Sequence, residues 1–544
     1  MRSTPAAWPA GLAALALVAA CTRSGSGADG TAGTAASAGP VLVRGGGPDP
    51  DSLDPQKVRG FEAQSIVRDL CEGLTTLDRK AAVAPGVASR WSVSADGKVY
   101  TFTLRPEARW SNGERVVGAD FVAGMRRLVD PATGSGYAQY ADVIVNTDEI
   151  VAGKKPPETL GVSAPDDSTV VVTLAAPAPY LPALLSHPST CPVHRPTLAS
   201  HPDAYARAGV MVANGAFVLK EWVQGSYVLA TRNRYYWNDA ATRLAAVKYL
   251  IIPDENAELA RYRGGELEVT AVVPRGQFDW LKEHLGAELH ISPQLTTYYY
   301  GFNLRRAPFA QAPKLRRALS LVIDREKLAT LVLRVGELPA YGWVPPGIDD
   351  YTPQSFDYAG QPMPARIAEA QRLYREAGYS SAHPLAFELR YNAGEVHTKV
   401  AVAVASMWKE ALGAEVTLTQ VEFKSLLAQI DRGEVELFRS SWAGDYNDAY
   451  TFAQYLKSDF GLNLPRYRSA AYDALLARAA AEVDQPARRA LLEEAERTML
   501  ADHPLLPLYF YVNKHLVKPQ VLGWYDNVMN VTYSRDLGLT PAGR

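Results

Sequence analysis

Asp96-Gly-Lys-Val-Tyr-Thr-Phe-Thr-Leu-Arg105 opens on a tight-turn dipeptide and then alternates with period two from Lys98 to Leu104, the pattern of a half-buried strand. A second turn signal follows at Asn112-Gly113. After it a helix is expected over 118–129, with Phe121, Val122, Met125 and Leu128 on one side and Pro131 ending it. Outward in both directions the same alternation of types continues. Strand patterns occur at 40–44, 169–174, 247–252, 295–302, 385–391, 414–418 and 505–512. Helical patterns occur at 312–333, 365–377, 399–412, 423–432 and 470–501. Interleaved strands and helices predict mixed α/β domains built on central sheets. No internal repeat with a period of about 20–50 residues is visible.

The chain has 544 residues, too many for one core, so two or three domains are expected. An apolar content of 47% excludes wholesale disorder. The 56 basic and 58 acidic residues balance to a formal net charge of −2, which argues against a nucleic-acid binder working by phosphate neutralisation. Three cysteines are too few for a disulfide scaffold or a cysteine-rich metal site. The 28 Tyr and 10 Trp against 14 Phe suit a large, partly wet cleft for amphipathic ligands, although ordinary core and surface tyrosines also account for that composition.

The N-terminus sets the compartment. Residues 1–20 carry a single charge, Arg2, and an apolar run too short to span a membrane, the layout of a secretory signal peptide. The run ends Val18-Ala19-Ala20-Cys21, which resembles the lipobox of bacterial lipoproteins and makes Cys21 a lipidation site. Residues 21–39, almost all Gly, Ala, Ser and Thr after the cysteine, then read as a flexible tether. No later segment is apolar enough to cross a bilayer, so the lipid is the expected membrane contact. In an oxidising compartment the two remaining cysteines, Cys71 and Cys191, favour a disulfide over two buried thiols.

Enzyme signatures are largely missing. Gly45-Gly46-Gly47 follows a strand, but Pro50 occupies the third glycine's place in a dinucleotide fingerprint. There is no phosphate-binding loop, no Gly-x-Ser-x-Gly elbow and no His-Glu-x-x-His. His187, His194 and His201 are spaced at seven among prolines and read as surface residues rather than a metal site. Asp49, Asp51 and Asp54 lack the remaining positions of a calcium loop. A Ser-His-Asp site assembled from distant residues stays open at this level.

Several strings occur together and in order: Asp51-Ser-Leu-Asp-Pro55, Ala84-Pro-Gly-Val-Ala-Ser-Arg-Trp91, the strand from Asp96, Trp110-Ser-Asn-Gly113, Ala119-Asp-Phe121, Val129-Asp-Pro131, His187-Pro-Ser-Thr190, Asn214-Gly-Ala216, Tyr298-Tyr-Tyr300, Leu338-Pro-Ala-Tyr-Gly342, Tyr391-Asn392, Asp445-Tyr446-Asn447 and the run from Tyr509 to Asn513. Taken together, the chain resembles the periplasmic oligopeptide-binding proteins, the family-5 extracellular solute receptors of ABC importers. The resemblance implies an α/β, two-lobed periplasmic-binding-protein fold of class II, or cluster C, with three domains and a hinge. Domain I would comprise 40–71, 194–294 and 513–544, domain II 72–193 and domain III 295–512, with the hinge near Leu295 and Val512. Cys71 and Cys191 fall at the two ends of domain II, which strengthens the disulfide expectation. The implied protein is a monomeric, non-enzymatic receptor of the periplasm or cell envelope without cofactor or metal. It would take short peptides and hand them to ABC importer permease subunits.

The resemblance also assigns ligand-facing residues. Asp445, after the strand Phe438-Arg-Ser-Ser-Trp-Ala-Gly, matches the family's partner for a peptide ammonium, with Tyr137 assisting. Arg439, Ser441 and Ala443 lie on the strand that would pair with ligand backbone, and Trp442 would wall a side-chain pocket. Phe423 and Leu427 match pocket positions, with core packing as the alternative. Asn392 and His397 match positions near later ligand residues, and Arg439 and His397 are the candidates for the ligand carboxylate. Arg59, beside Phe61, stands where relatives carry an acidic group, Gly301 replaces a glutamate and Leu333, next to Arg334, replaces a lysine. These departures predict a changed length preference and better tolerance of acidic side chains. A murein-peptide receptor, a peptide hydrolase with an unmarked triad, and a surface sensor or chaperone are the competing readings.

Overall fold

The expected strands assemble into three large sheets, each drawing on several segments of the chain. The computed structural model describes residues 39–348 and 350–540, so the expected leader, the expected lipidation site Cys21 and nearly all of the expected tether lie outside the described residues. From Gly39 onward the chain forms one compact unit.

In the first sheet, Val41–Gly45 runs parallel to Ala246–Leu250, and Tyr227–Arg232 and Phe217–Val223 follow antiparallel. Its core draws on three separate parts of the chain, including Leu42, Val67 and Leu70, then Phe217 and Val247, then Val517 and Leu537. The second sheet is wholly antiparallel, in the order Ala88–Val93, Val99–Leu104, Thr169–Thr173, Val162–Asp166. The alternation that opened the sequence reading turns Tyr100, Phe102 and Leu104 inward, where they meet Phe121, Met125 and Leu128 of the helix Gly118–Val129. Asp120 accepts the backbone N–H of Val117 and the indole N–H of Trp110, both at 3.1 Å, tying the helix start to the turn before it.

The third sheet has six strands, in the order Leu338–Pro339, Leu505–Leu516, Leu289–Phe302, Leu437–Ala443, Ala386–Asn392, Glu415–Val421. Two of them are long and continue past it. Leu289–Phe302 pairs with Leu505–Leu516 from Leu289↔Leu516 to Pro293↔Val512, breaks, and pairs again from Thr297↔Phe510 to Gly301↔Leu505. One end of the pair packs with Leu259, Tyr262 and Leu281, the other with the large core around Tyr299, Trp343 and Trp408. The sequence pattern located only the inner part of each strand, because the outer part is less uniformly apolar.

Two helix expectations need correction. Residues 312–333 are not one helix: Pro313–Leu321 ends, Asp324 caps a new start by accepting the Lys327 N–H at 3.0 Å, and Leu328–Leu333 forms a π-type turn. Residues 470–501 likewise divide into Ala470–Ala481 and Gln485–Asp502, with Asp484 accepting the Ala487 N–H at 2.9 Å. An Asp inside an apolar period satisfies free N–H groups better than it continues a helix. His187 and His194 are also not surface residues. They are 6% and 4% exposed, and each accepts a backbone N–H at a helix start through its ring. Cys71, at the end of the helix Phe61–Leu70, and Cys191 are joined by a disulfide.

Candidate functional site

The strand Leu437–Ala443 is paired unequally on its two edges. One edge is fully occupied by residues 296–302, antiparallel from Thr296↔Ala443 to Phe302↔Leu437. On the other, only Leu437 and Phe438 meet a neighbour, lying parallel to Leu389 and Arg390. Beyond that point the strands diverge, and among the described residues no strand pairs with the second edge from Arg439 to Ala443. Unpaired backbone N–H and C=O groups on such an edge are a template for another extended chain. Exposure rises along it, from buried Arg439 and Ser440 through half-buried Ser441 and Trp442 to exposed Ala443.

At the C-terminal end of this edge lies a cavity of about 230 Å³. Trp442, Asp445 and Tyr446 line it from the six-stranded side, and Tyr140, Asp142 and Tyr180 line it from the module of the second sheet. The two sides touch directly. The Tyr140 hydroxyl donates to the Asp445 carbonyl at 2.9 Å, and Tyr180 stacks on Tyr446 and Tyr450 with centroids 5.0 and 5.1 Å apart. Trp442 is fixed by its indole N–H donating to the Thr451 carbonyl at 2.8 Å and by packing on Tyr455. Asp445 reaches the cavity surface, yet the surrounding protein removes enough water to push its carboxyl above the usual range. No basic side chain forms an ion pair with it among the described residues. Asp142 is pushed up to about 6, first by desolvation and then by the negative charge of Asp148.

The other end of the edge is cationic. Arg439 is 6% exposed; it donates to Asn392 Oδ1 at 2.9 Å and to the Tyr511 hydroxyl at 3.1 Å, and its guanidinium carbon lies 4.5 Å from the centroid of the Tyr298 ring. Burial opposes its charge, but Tyr298, Tyr511 and Tyr509 outweigh that and raise its pKa. Its Nε has no partner, and no carboxylate pairs with it among the described residues. His397 sits beside Tyr298, Nδ1 to hydroxyl 3.4 Å, and is pushed down to about 4 by burial and by Arg439 and Arg275. At neutral pH it is an uncharged hydrogen-bonding group, not a second cation.

The remaining expected residues are distributed around this axis. Tyr137 packs on Tyr140 and His187, at centroid distances of 6.0 and 5.0 Å, one layer behind the cavity wall. A side-chain carbon at Gly136 would lie 3.4 Å from Arg59 Nε, so Arg59 flanks the Tyr137 loop. Phe61, 42% exposed, lines a separate small cavity with Arg44 and Trp524. Phe423 is 48% exposed at the start of its helix; Leu426, not Leu427, enters the core there. At Gly301 a side-chain carbon would meet the Phe438 ring at 2.3 Å, so the ring fills the space a longer residue would need. Leu333 is a core residue, and Arg334 pairs outward with Asp279. Tyr140 and Asp142 escaped the sequence reading. They follow Tyr137 in the same short run, and only the packing shows that the chain turns them, ahead of Tyr137, into the cavity. A second cavity, of about 430 Å³, lies on the far side of Tyr180, between Trp91 and Tyr100 and the ion pairs Arg488–Asp448 and Arg489–Asp350.

The model of the bacterial extracellular solute-binding proteins, family 5 Middle, matches residues 82–463. The periplasmic oligopeptide-binding protein OppA of Escherichia coli is 39% identical over 514 residues, 94% of each chain. Among solved structures, an unliganded open form of MppA, a periplasmic murein tripeptide-binding protein, aligns with TM-score 0.88 and 36% identity, covering 92% of this chain and 98% of that one. OppA of Haemophilus influenzae in complex with the peptide RPPGFSPFR aligns with TM-score 0.69 and 36% identity over 93% and 100%. The chain belongs to the family-5 extracellular solute-binding proteins, which are non-enzymatic receptors, and the hydrolase reading falls with that.

Proposed function

We propose that this family-5 receptor captures short peptides in extended form along the open edge of Arg439–Ala443 and delivers them to the permease of an ABC importer. One observation carries the reading. Among the described residues, the edge runs from a buried guanidinium with no carboxylate partner to a carboxylate with no basic partner, the inverse of a zwitterionic peptide's two ends. Asp445 takes the ammonium, the backbone of Ser441 and its neighbours pairs with the ligand, and Arg439 with neutral His397 and Asn392 receives the carboxylate. Arg439 and Asp445 are six positions apart, at most roughly 20 Å along an extended chain, which suits a ligand of a few residues.

The division at 40–71, 194–294 and 513–544, at 72–193, and at 295–512 fits the three cores. The interruption of the long strand pair between Pro293 and Thr297 is the natural bending point for closure. The greater likeness to an unliganded open form than to a peptide complex, at equal identity, supports reading the described arrangement as open. The leader at 1–20, acylation of Cys21, a periplasmic or envelope location and a monomeric state complete the proposal. They are checked by the mass of the mature N-terminal peptide and by sedimentation. Isothermal titration with tri- to pentapeptides, with a murein tripeptide as one arm, tests the function. Micromolar or tighter binding of any of them supports it, and binding by none overturns it.

A further inference from the structure

The cavity that receives the peptide ammonium holds more negative charge than one ammonium neutralises. Asp142 and Asp445 reach the same space of about 230 Å³ from opposite sides of the cleft. Neither forms an ion pair with a basic side chain among the described residues, and the backbone N–H of Val143 offsets only part of the burial cost at Asp142. Burial pushes both carboxyls up, and the negative charge of Asp445 adds a minor contribution at Asp142, after desolvation and Asp148. Asp142 feels the charges of Asp148 on its own segment and Asp445 across the cavity and neighbours the Tyr180 phenol, and the phenols of Tyr140 and Tyr446 line the same space; no Lys, Arg or His lines it among the described residues. Trp442, Phe460 and Leu184 give the cavity an apolar wall that suits the methylene stem of a long side chain, while Gln139 and Gln454 are its uncharged polar lining.

We propose that Asp142 is a specificity-determining residue that selects ligands with a second cation next to the terminal ammonium, namely peptides whose first residue is Lys, Arg or a related diamino acid. The inference rests on the peptide reading: with the α-ammonium on Asp445, the first side chain enters the cavity that Asp142 lines. It gives the first position a charge preference opposite to the acid tolerance expected near Arg59. Selectivity at one position therefore differs from selectivity averaged over the peptide.

The test compares Lys-Ala-Ala with norleucine-Ala-Ala, which differ only by the ammonium at the end of an equal stem. Isothermal titration of the full mature protein should show the lysine peptide preferred by about tenfold or more near neutral pH. The preference should collapse toward one in Asp142→Asn, and in the wild type it should shrink as pH falls through about 6, where Asp142 takes up a proton. The wild-type pH series keeps the test decisive if the variant fails to fold, because protonation of Asp445 affects both peptides alike. Ala-Lys-Ala against Ala-norleucine-Ala should show much less discrimination. Equal binding of the first pair, a preference surviving in Asp142→Asn, one that does not shrink in acid, or an equal preference at the second position would each overturn the inference alone. Binding of neither tripeptide would overturn the peptide reading and this inference with it.

Discussion

The two ends of the open strand edge carry opposite charges and are built in opposite ways. Arg439 is buried and held before any ligand arrives: Asn392, Tyr511 and the face of Tyr298 fix the guanidinium, leaving its Nε unpartnered. Asp445 and Asp142 have no such support, sit between two modules, and are both pushed toward the protonated form. A buried arginine cannot shed its charge at accessible pH, so the fold must solvate it from within. A carboxyl can take up a proton while it waits. In the proposed complex, one end orients the ligand through rigid geometry, while the other stores unfavourable charge that an arriving ammonium would relieve.

The sharpest way to break this comparison is to remove one charge at each end. Asp445→Ala should weaken binding of a tripeptide by about a hundredfold, the scale of a desolvated charge-assisted hydrogen bond. Thermal stability should stay level or rise slightly, because a destabilised carboxylate is gone. Arg439→Ala should do the reverse in emphasis. Its binding loss should be smaller, about tenfold, accompanied by a stability loss of about 2 kcal/mol as Asn392 and Tyr511 lose a buried partner. Calorimetric melting and titration on the same samples give both quantities. If Asp445→Ala destabilises as much as Arg439→Ala, the two ends are not built differently.

How much of this was legible in the sequence follows the same division. Strand alternation at Val99–Leu104 and the helix Gly118–Val129 were readable because period and burial agree there. Asp445 and Arg439 stand out in the sequence because they sit in a long shared motif, and their ligand roles stay part of the proposal. The breaks at Asp324 and Asp484 were missed because a capping side chain leaves the apolar period almost intact. Tyr140 and Asp142 were missed for a different reason. Their place in the cavity wall comes from packing against a segment about 300 positions away, marked by the Tyr140 hydroxyl on the Asp445 carbonyl, and no local period encodes it. The burial of His187 and His194 is equally a product of packing: His187 stacks on Tyr140 at 3.9 Å, and His194 bonds Glu114 at 2.7 Å.

A pH series sharpens the comparison with a smaller effect. The folded carboxyls are raised, so in the unliganded protein Asp142 contributes stability that is present at low pH and lost as pH rises through about 6. An ammonium favours the ionised form, so for binding the sign reverses: affinity should fall several-fold as pH drops from neutral toward 5, with proton release on binding. Titrations in two buffers of different ionisation heat measure those protons.

The smallest effect is expected at His397, and its smallness is informative. A histidine beside a ligand carboxylate invites the assumption that it is a second cation whose loss would abolish binding above its pKa. Here Arg439 and Arg275 already hold the local field positive, burial removes the water that would solvate a further charge, and the imidazole is pushed down to about 4. His397→Gln keeps a neutral donor and acceptor in nearly the same place. Peptide affinity near pH 7 should therefore change by less than about threefold, and the pH dependence above 5 should match the wild type. A large loss, or disappearance of the pH dependence, would mean that the imidazole carries charge in the complex and that the cationic end, like the acidic one, is completed only when ligand arrives.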